Sequence, residues 1–296
     1  MPRLLSLGAL IALALLGWLW LSGGFDALAY WAAGEQRDFQ NTVARSLRAL
    51  KGGEAGAFAL LLAACFAYGF FHAVGPGHGK VLLGGYGLGR RVPLLRLAGI
   101  GLLASLGQAV TAIVLVYAGV WVLSLTRERM VGFTEGVMAP VSYAAIGLIG
   151  LWLAWRGLRH ARGVGHHHHH DHDHDAHCDH RHGPTLDEVA HVHSLREALA
   201  LIAGIAIRPC SGALFVLLIT WQMGIGLAGI AAALVMGLGT ATVTVATGLA
   251  AAGLRGGLLG GIAGSPLAAR AVPVIEIAAG LFVMAVAGGL LLRAVA

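Results

Sequence analysis

Charge is scarce in this chain. Asp, Glu, Lys and Arg make up 11% of 296 residues, against roughly a quarter in soluble domains. With a mean hydropathy of +0.78, that shortage excludes a water-soluble enzyme. Cysteine is scarce too, and three residues exclude a disulfide scaffold. The formal net charge of +6 is too small for the concentrated basic face of a nucleic-acid binder, so no nucleic-acid partner is expected. The GxxxxGK[ST] signature of a P-loop is absent, and Gly75–Lys80 has the wrong spacing for one. Energy from ATP would therefore need a partner subunit.

What the chain has in quantity is apolar length and glycine. Hydrophobic residues make up 57%, and 45 glycines suit close helix packing in lipid. A membrane helix needs about 20 apolar residues. Qualifying runs are Leu4–Leu21, Gly56–Val74, Leu97–Leu123, Ala139–Trp155, Ala198–Thr220, Ile225–Ala252 and Val272–Leu292. The expected fold is an all-α polytopic membrane protein of six or seven transmembrane helices, with the lipid bilayer as a partner. Its expected organisation is a membrane helix or signal anchor at 1–21, an extracytoplasmic segment at 22–54, and half of the bundle at 55–159. A His-rich cytoplasmic loop at 160–196 and the second half at 197–296 follow. Ala27-Leu28-Ala29 reads as a signal-peptidase site, but the first run is long for a signal sequence, which favours a retained helix.

Basic residues orient the bundle. Arg3, Lys80, Arg90, Arg91, Arg96, Arg156, Arg159, Arg162, Arg181, Arg196, Arg255 and Arg270 fall on one side of the alternating spans. Fewer, namely Arg37, Arg45, Arg48, Lys51, Arg127, Arg129 and Arg293, fall on the other. The bias places the N-terminus and residues 160–196 in the cytoplasm. In 22–54, Phe39, Val43, Leu47 and Leu50 recur at helical spacing. Two readings stand: an amphipathic helix on the membrane, or a solvated linker.

The segment 166–182 reads HHHHHDHDHDAHCDHRH. His166, His167, His168, His169, His170, His172, His174, His177, His180 and His182 are candidate metal ligands, interleaved with four Asp and Cys178. No packed core can be built from this composition, so the loop is expected to be disordered without a ligand. Imidazole suits Ni, Co, Cu and Zn. The paired CxxC spacing of structural zinc is missing, which points to labile capture, buffering or sensing. A pH-responsive linker and an engineered tag are the competing readings.

A second constellation is Phe70-Phe71-His72-Ala73-Val74-Gly75-Pro76-Gly77-His78-Gly79-Lys80. On an ideal helix His72 and His78 are rotated by about 240° and cannot meet. Pro76 lacks the N–H that would bond the His72 carbonyl, and Gly75 and Gly77 permit unusual dihedrals. A break there would turn His78 back towards His72 and free a carbonyl as an oxygen ligand. Broken helices of this kind mark transporter sites. The competing reading is a helix end followed by a glycine-rich cytoplasmic turn, with Lys80 as an interfacial anchor.

Arg208 lies mid-span, ~15 Å from either end, and needs a partner or a wet cavity. Pro209 frees the carbonyl of Ile205, so this span is either discontinuous or kinked with Arg208 capping the freed carbonyls. Glu276 is a candidate partner for Arg208, a proton carrier, or an interfacial carboxylate. Met236, Thr240, Thr244 and Thr247 share one helix face, beside Gly237 and Gly239. That face reads as helix packing or as a polar lining of an ion path. Gln108 is similarly ambiguous. Cys65 and Cys210 are buried thiols or a redox pair.

The motif at 68–80, the His/Asp loop, Arg208-Pro209-Cys210-Ser211-Gly212-Ala213 and Met236-Gly237-Leu238-Gly239-Thr240-Ala241 occur in this order. In them the chain resembles the NicO/RcnA-type nickel/cobalt transporters, over roughly residues 25–293. The resemblance implies a bacterial inner-membrane protein that moves Ni²⁺ or Co²⁺ as the transported ion, in many members outward, with no permanently bound cofactor. More distantly the chain is similar to permeases whose second helix carries His-x4-Asp-His. His72 and His78 match those histidines, and Gly77 stands where the acidic residue would be. That departure leans towards efflux.

The resulting expectation is an alternating-access transporter of divalent transition-metal ions. Its site is built from His72, His78 and freed carbonyls, with Cys210 or Thr240 as further donors. Proton coupling is expected, and assembly into homo-oligomers is left open. The alternatives are uptake by the same fold, a thiol–disulfide reductant using Cys65 and Cys210, and a metal sensor without flux.

Overall fold

The structure, a computed structural model of the chain, describes residues 11, 14, 15, 18, 21–75, 77–121, 126–163, 186–260 and 266–295. The His-rich segment 166–182 and most of the first apolar run lie outside the described residues, as do Pro76 and the His78 side chain. Among the described residues every regular element is helical. The elements are α1 (Gly24–Lys51), α2 (Ala57–Val74), α3 (His78–Gly89), α4 (Leu94–Trp121) and α5 (Arg127–Phe133). A π turn (Thr134–Met138) leads into α6 (Ala139–Gly163), followed by α7 (Leu186–Ala206), α8 (Ser211–Gln222), α9 (Gly226–Gly260) and α10 (Pro266–Val295).

Five helical stretches among the described residues are long and apolar enough to cross a membrane: 57–74, 94–120, 128–162, 226–260 and 270–295. The end of α7 and α8 meet at a 60° bend, and together they are long and apolar enough for a sixth. The chain is a polytopic membrane protein. Its exposed apolar residues, such as Leu103, Val114, Leu148, Phe282 and Leu292, are the lipid-facing surface such a bundle requires.

Helix α1 is amphipathic, and its stripe is used on the protein itself. Val43 and Leu47 are buried, with Phe39 and Leu50 packed beside them. The Phe39 ring stacks on Phe71 of α2 at 5.4 Å, and Trp31 meets the same ring edge-on at 5.3 Å. Asp26 in the first turn and Arg48 and Lys51 in the last complement the helix dipole.

The buried apolar residues form two clusters. One joins α1, α2, α8 and α9; the other joins α3, α7, α10 and part of α6. Helix α4 serves both, through Ala112 and Val116 in the first and Leu97, Ile100 and Ala104 in the second. The α2/α3 pair and the α7/α8 pair are each split between the clusters, so both breaks fall at the seam. The α2–α9 contact depends on missing side chains. A Cβ at Gly69 would lie 2.0 Å from the Met236 carbonyl oxygen, and one at Gly239 would lie 2.1 Å from that of Phe66. Small residues bring these two backbones together, as expected in lipid.

Segment 78–89 is not a cytoplasmic turn. It is a helix whose Leu82, Leu83 and Tyr86 are buried. The competing reading of a glycine-rich turn is thereby corrected: 78–89 is a helix packed into the bundle, with Lys80 in its first turn.

Candidate functional site

Both breaks are built around a proline. Helix α2 stops at Val74, Gly75 and Gly77 are extended (φ −61°, ψ 168° and φ −158°, ψ 141°), and α3 starts at His78. In the second break α7 stops at Ala206, Cys210 is extended (φ −69°, ψ 128°), and α8 starts at Ser211. A proline two residues before each new helix removes a donor and disfavours the helical region just ahead of it.

Between the breaks lies a cavity of about 250 Å³. His72, Gly77, Lys80, Arg208, Pro209, Cys210, Thr240 and Thr244, all singled out from the sequence, line it. Gln108, Ser105, Glu135 and Ser211 complete its polar wall. Glu276 is elsewhere.

His72 is held by its neighbour on α2 and faces the second break. Its ring stacks on Tyr68 at 6.1 Å with an interplanar angle of 6°, and it lines the same cavity as Cys210. Tyr68 is fixed in turn, its hydroxyl accepting from Gln36 Nε2 of α1 at 3.0 Å. Helix α8 can start beside this stack only because residue 212 is glycine: a Cβ there would lie 2.2 Å from the Tyr68 ring. Cys210 precedes α8, and its sulfur faces the N–H groups of Gly212 and Ala213 without closing a capping hydrogen bond. Cys65 and Cys210 are both free thiols, and Cys65 lies in the apolar core.

The carbonyls freed at the second break have specific partners. Gln108 Nε2 donates to the Ile205 carbonyl at 3.2 Å, and Ser142 Oγ donates to that of Gly204 at 2.7 Å. Arg208 is not used on them. Its guanidinium donates to Glu135 Oε2 at 2.9 Å and to the Tyr143 hydroxyl, and lies over the Tyr143 ring at 5.2 Å from the centroid. This corrects two expectations. Arg208 does not cap the freed carbonyls, because Gln108 and Ser142 already do. Its acidic partner is Glu135, not Glu276, because Glu276 lies between α6 and α10, with His160 Nδ1 at 3.0 Å and Arg156 Nη2 at 3.4 Å. Glu276 is buried against these two side chains, at 3% side-chain exposure.

The first break is filled from within the chain. Lys80 Nζ donates to the Val74 carbonyl at 3.1 Å and to the Gly75 carbonyl. Thr240 Oγ1 donates to the carbonyls of Gly69 and Met236, each at 3.2 Å, and Thr244 Oγ1 to that of Thr240 at 2.9 Å. Both threonines thus line the cavity, and Thr240 braces α2 against α9. Among the described residues no three His, Cys, Asp or Glu side chains come together as a metal-holding group. His72 and Cys210 are a pair, and the His78 side chain lies outside the described residues.

Glu135 and Ser105 were not singled out from the sequence. Glu135 sits 73 residues from Arg208 and reads as part of an external loop. The π turn that carries it is unbroken with α6, and π turns recur at functional sites. The available signal was an acidic residue inside the apolar stretch Met130–Met138.

Residues 58–196 match the model of the NicO family, described as high-affinity nickel-transport protein. The matched stretch contains α2–α6 and the first part of α7, and with them the whole first break. The chain is also 28% identical over 250 residues to a Haemophilus influenzae protein that carries the provisional name nickel/cobalt efflux system. That match spans 78% of this chain and 75% of the relative. No solved structure matches the chain.

Proposed function

We propose that this protein carries nickel or cobalt ions through the bacterial inner membrane, outward from the cytoplasm, by way of the cavity at the two helix breaks. It is a transporter and not an enzyme. The observation that carries the reading is that His72 and Cys210 line one polar cavity between two helix breaks. Imidazole and thiolate are donors suited to borderline and soft transition metals. Irregular backbone at membrane depth is tolerated where it lines a cavity.

Ions collected by the His166–His182 loop on the cytoplasmic side pass to His72 and Cys210, with His78 as the third donor. Metal binds the neutral imidazole and not its protonated form. Loading therefore expels protons, and proton uptake from outside releases the ion. The NicO match supports nickel as cargo. The outward direction draws on the relative's name and on Gly77 standing where the uptake permeases carry an acidic residue.

The test is cell-associated nickel, cobalt and zinc, measured by mass spectrometry with wild type, His72→Ala and no protein. A fall in nickel or cobalt that requires His72 is expected. A rise that requires His72 would keep the site and reverse the direction. No change for any metal would remove the transport reading.

A further inference from the structure

Lys80 occupies an unfavourable place for a cation. It is the third residue of α3, beside the positive end of that helix's dipole, and its cavity already contains Arg208. Neither feature attracts an ammonium. What holds it is the pair of carbonyls at the end of α2, those of Val74 and Gly75. These oxygens lie at the C-terminal end of α2, two and three residues after His72, and the lysine they hold lines the same cavity as His72 and Cys210. They form a ready-made cation site next to the imidazole and the thiol, with a cation of the protein's own already in it.

We propose that Lys80 is a tethered competitor of the transported ion. Its ammonium fills the oxygen half of the site while the cavity is empty, and swings out when a divalent metal enters between His72 and those carbonyls. The role fits a carrier. A cavity that always presents one cation, either the lysine or the cargo, does not collapse when emptied, and the returning ammonium helps expel the ion. The inference rests on the metal-transport reading of this cavity.

The test uses the full chain purified in lipid nanodiscs and titrated with nickel chloride by calorimetry. Lys80→Met removes the charge and keeps the length; Lys80→Arg keeps the charge; Lys80→Gln serves if the Met variant does not fold. The expected result is nickel binding at least about tenfold tighter in Lys80→Met or Lys80→Gln than in wild type (about 1.4 kcal/mol per tenfold), with Lys80→Arg close to wild type. Metal release from the tighter variant should be slower. Unchanged or weaker binding on loss of the charge would overturn the proposal and leave Lys80 as a cap on α2. A second measurement needs no variant: modification of Lys80 by a small amine-reactive probe, read by mass spectrometry, should increase when nickel is added. Equal or reduced labelling would also overturn the proposal. His72→Ala runs in parallel. Nickel binding that His72→Ala abolishes but Lys80→Met does not tighten refutes only the competitor. Absence of a His72-dependent nickel-binding step in wild type refutes the site itself.

Discussion

Gln108 Nε2 donates to the one carbonyl that Pro209 leaves without its helical partner, that of Ile205, at 3.2 Å. A helix break and the side chain that makes it tolerable are thus supplied by different spans, 97 residues apart. Replacing Gln108 by Leu would leave the carbonyl unsatisfied at membrane depth, at a cost of about 1–3 kcal/mol. Thermal unfolding in detergent should show a lower midpoint. Gln108→Glu, which exchanges the donor for an acceptor, should be at least as damaging.

The Arg208–Glu135 pair can be tested by exchange. Arg208→Glu and Glu135→Arg each place like charges opposite one another, so each should lose metal tolerance at normal protein level. The double exchange should recover part of it, with a coupling on the order of 0.5–3 kcal/mol if expressed as a free energy. A double variant no better than the worse single variant would show that the pair is not the functional unit.

Gly239→Ala drives a methyl against the Phe66 carbonyl, where the Cβ would lie at 2.1 Å. Overpacking costs about 1–3 kcal/mol, and here the obstacle is backbone that cannot rotate away. Folded protein, measured by fluorescence-detected gel filtration, should fall sharply. Gly253→Ala on the same helix meets nothing within 4 Å, and should be neutral or stabilising by up to ~1 kcal/mol.

Glu276 is buried between Arg156 and His160. Glu276→Leu leaves Arg156 without its carboxylate and His160 without its hydrogen-bond partner. Fully buried pairs lose ~3–5 kcal/mol when broken. Arg156 is 25% exposed and His160 49% exposed, so a loss on the order of 2 kcal/mol is expected here. Urea or thermal unfolding checks it. A stable Glu276→Leu that still fails to move metal would instead give the residue a part in transport.

Much of the architecture was legible because membrane spans announce themselves by length and prolines by the donor they lack. The runs from Gly56 onward correspond to described helices, and the helices stop and restart around Gly75–Gly77 and Arg208–Pro209. The depth of α3 was not legible. A short glycine-rich stretch carrying Lys80 has the composition of a loop, and only the groove between α9 and α10 makes it a buried helix. Nor was Glu135 legible. Local spacing reports which residues share a face, and the partner of Arg208 arrives from an element 73 residues away. The Tyr68–His72 stack could have been anticipated from their four-residue separation on one helix; its anchoring by Gln36 could not.

Helices α3 and α8 each have 12 residues, hence a length of ~18 Å, little more than half the ~30 Å of hydrocarbon in a bilayer. Neither helix can cross the hydrocarbon alone, and where the polar cavity between the two breaks admits water the membrane voltage drops over a shorter distance than through the surrounding lipid. A divalent ion crossing that step exchanges energy with the potential at roughly 2.3 kcal/mol per charge per 100 mV for the full drop. The rate at which this protein works should depend on how strongly the membrane is energised, even with metal and proton concentrations held constant.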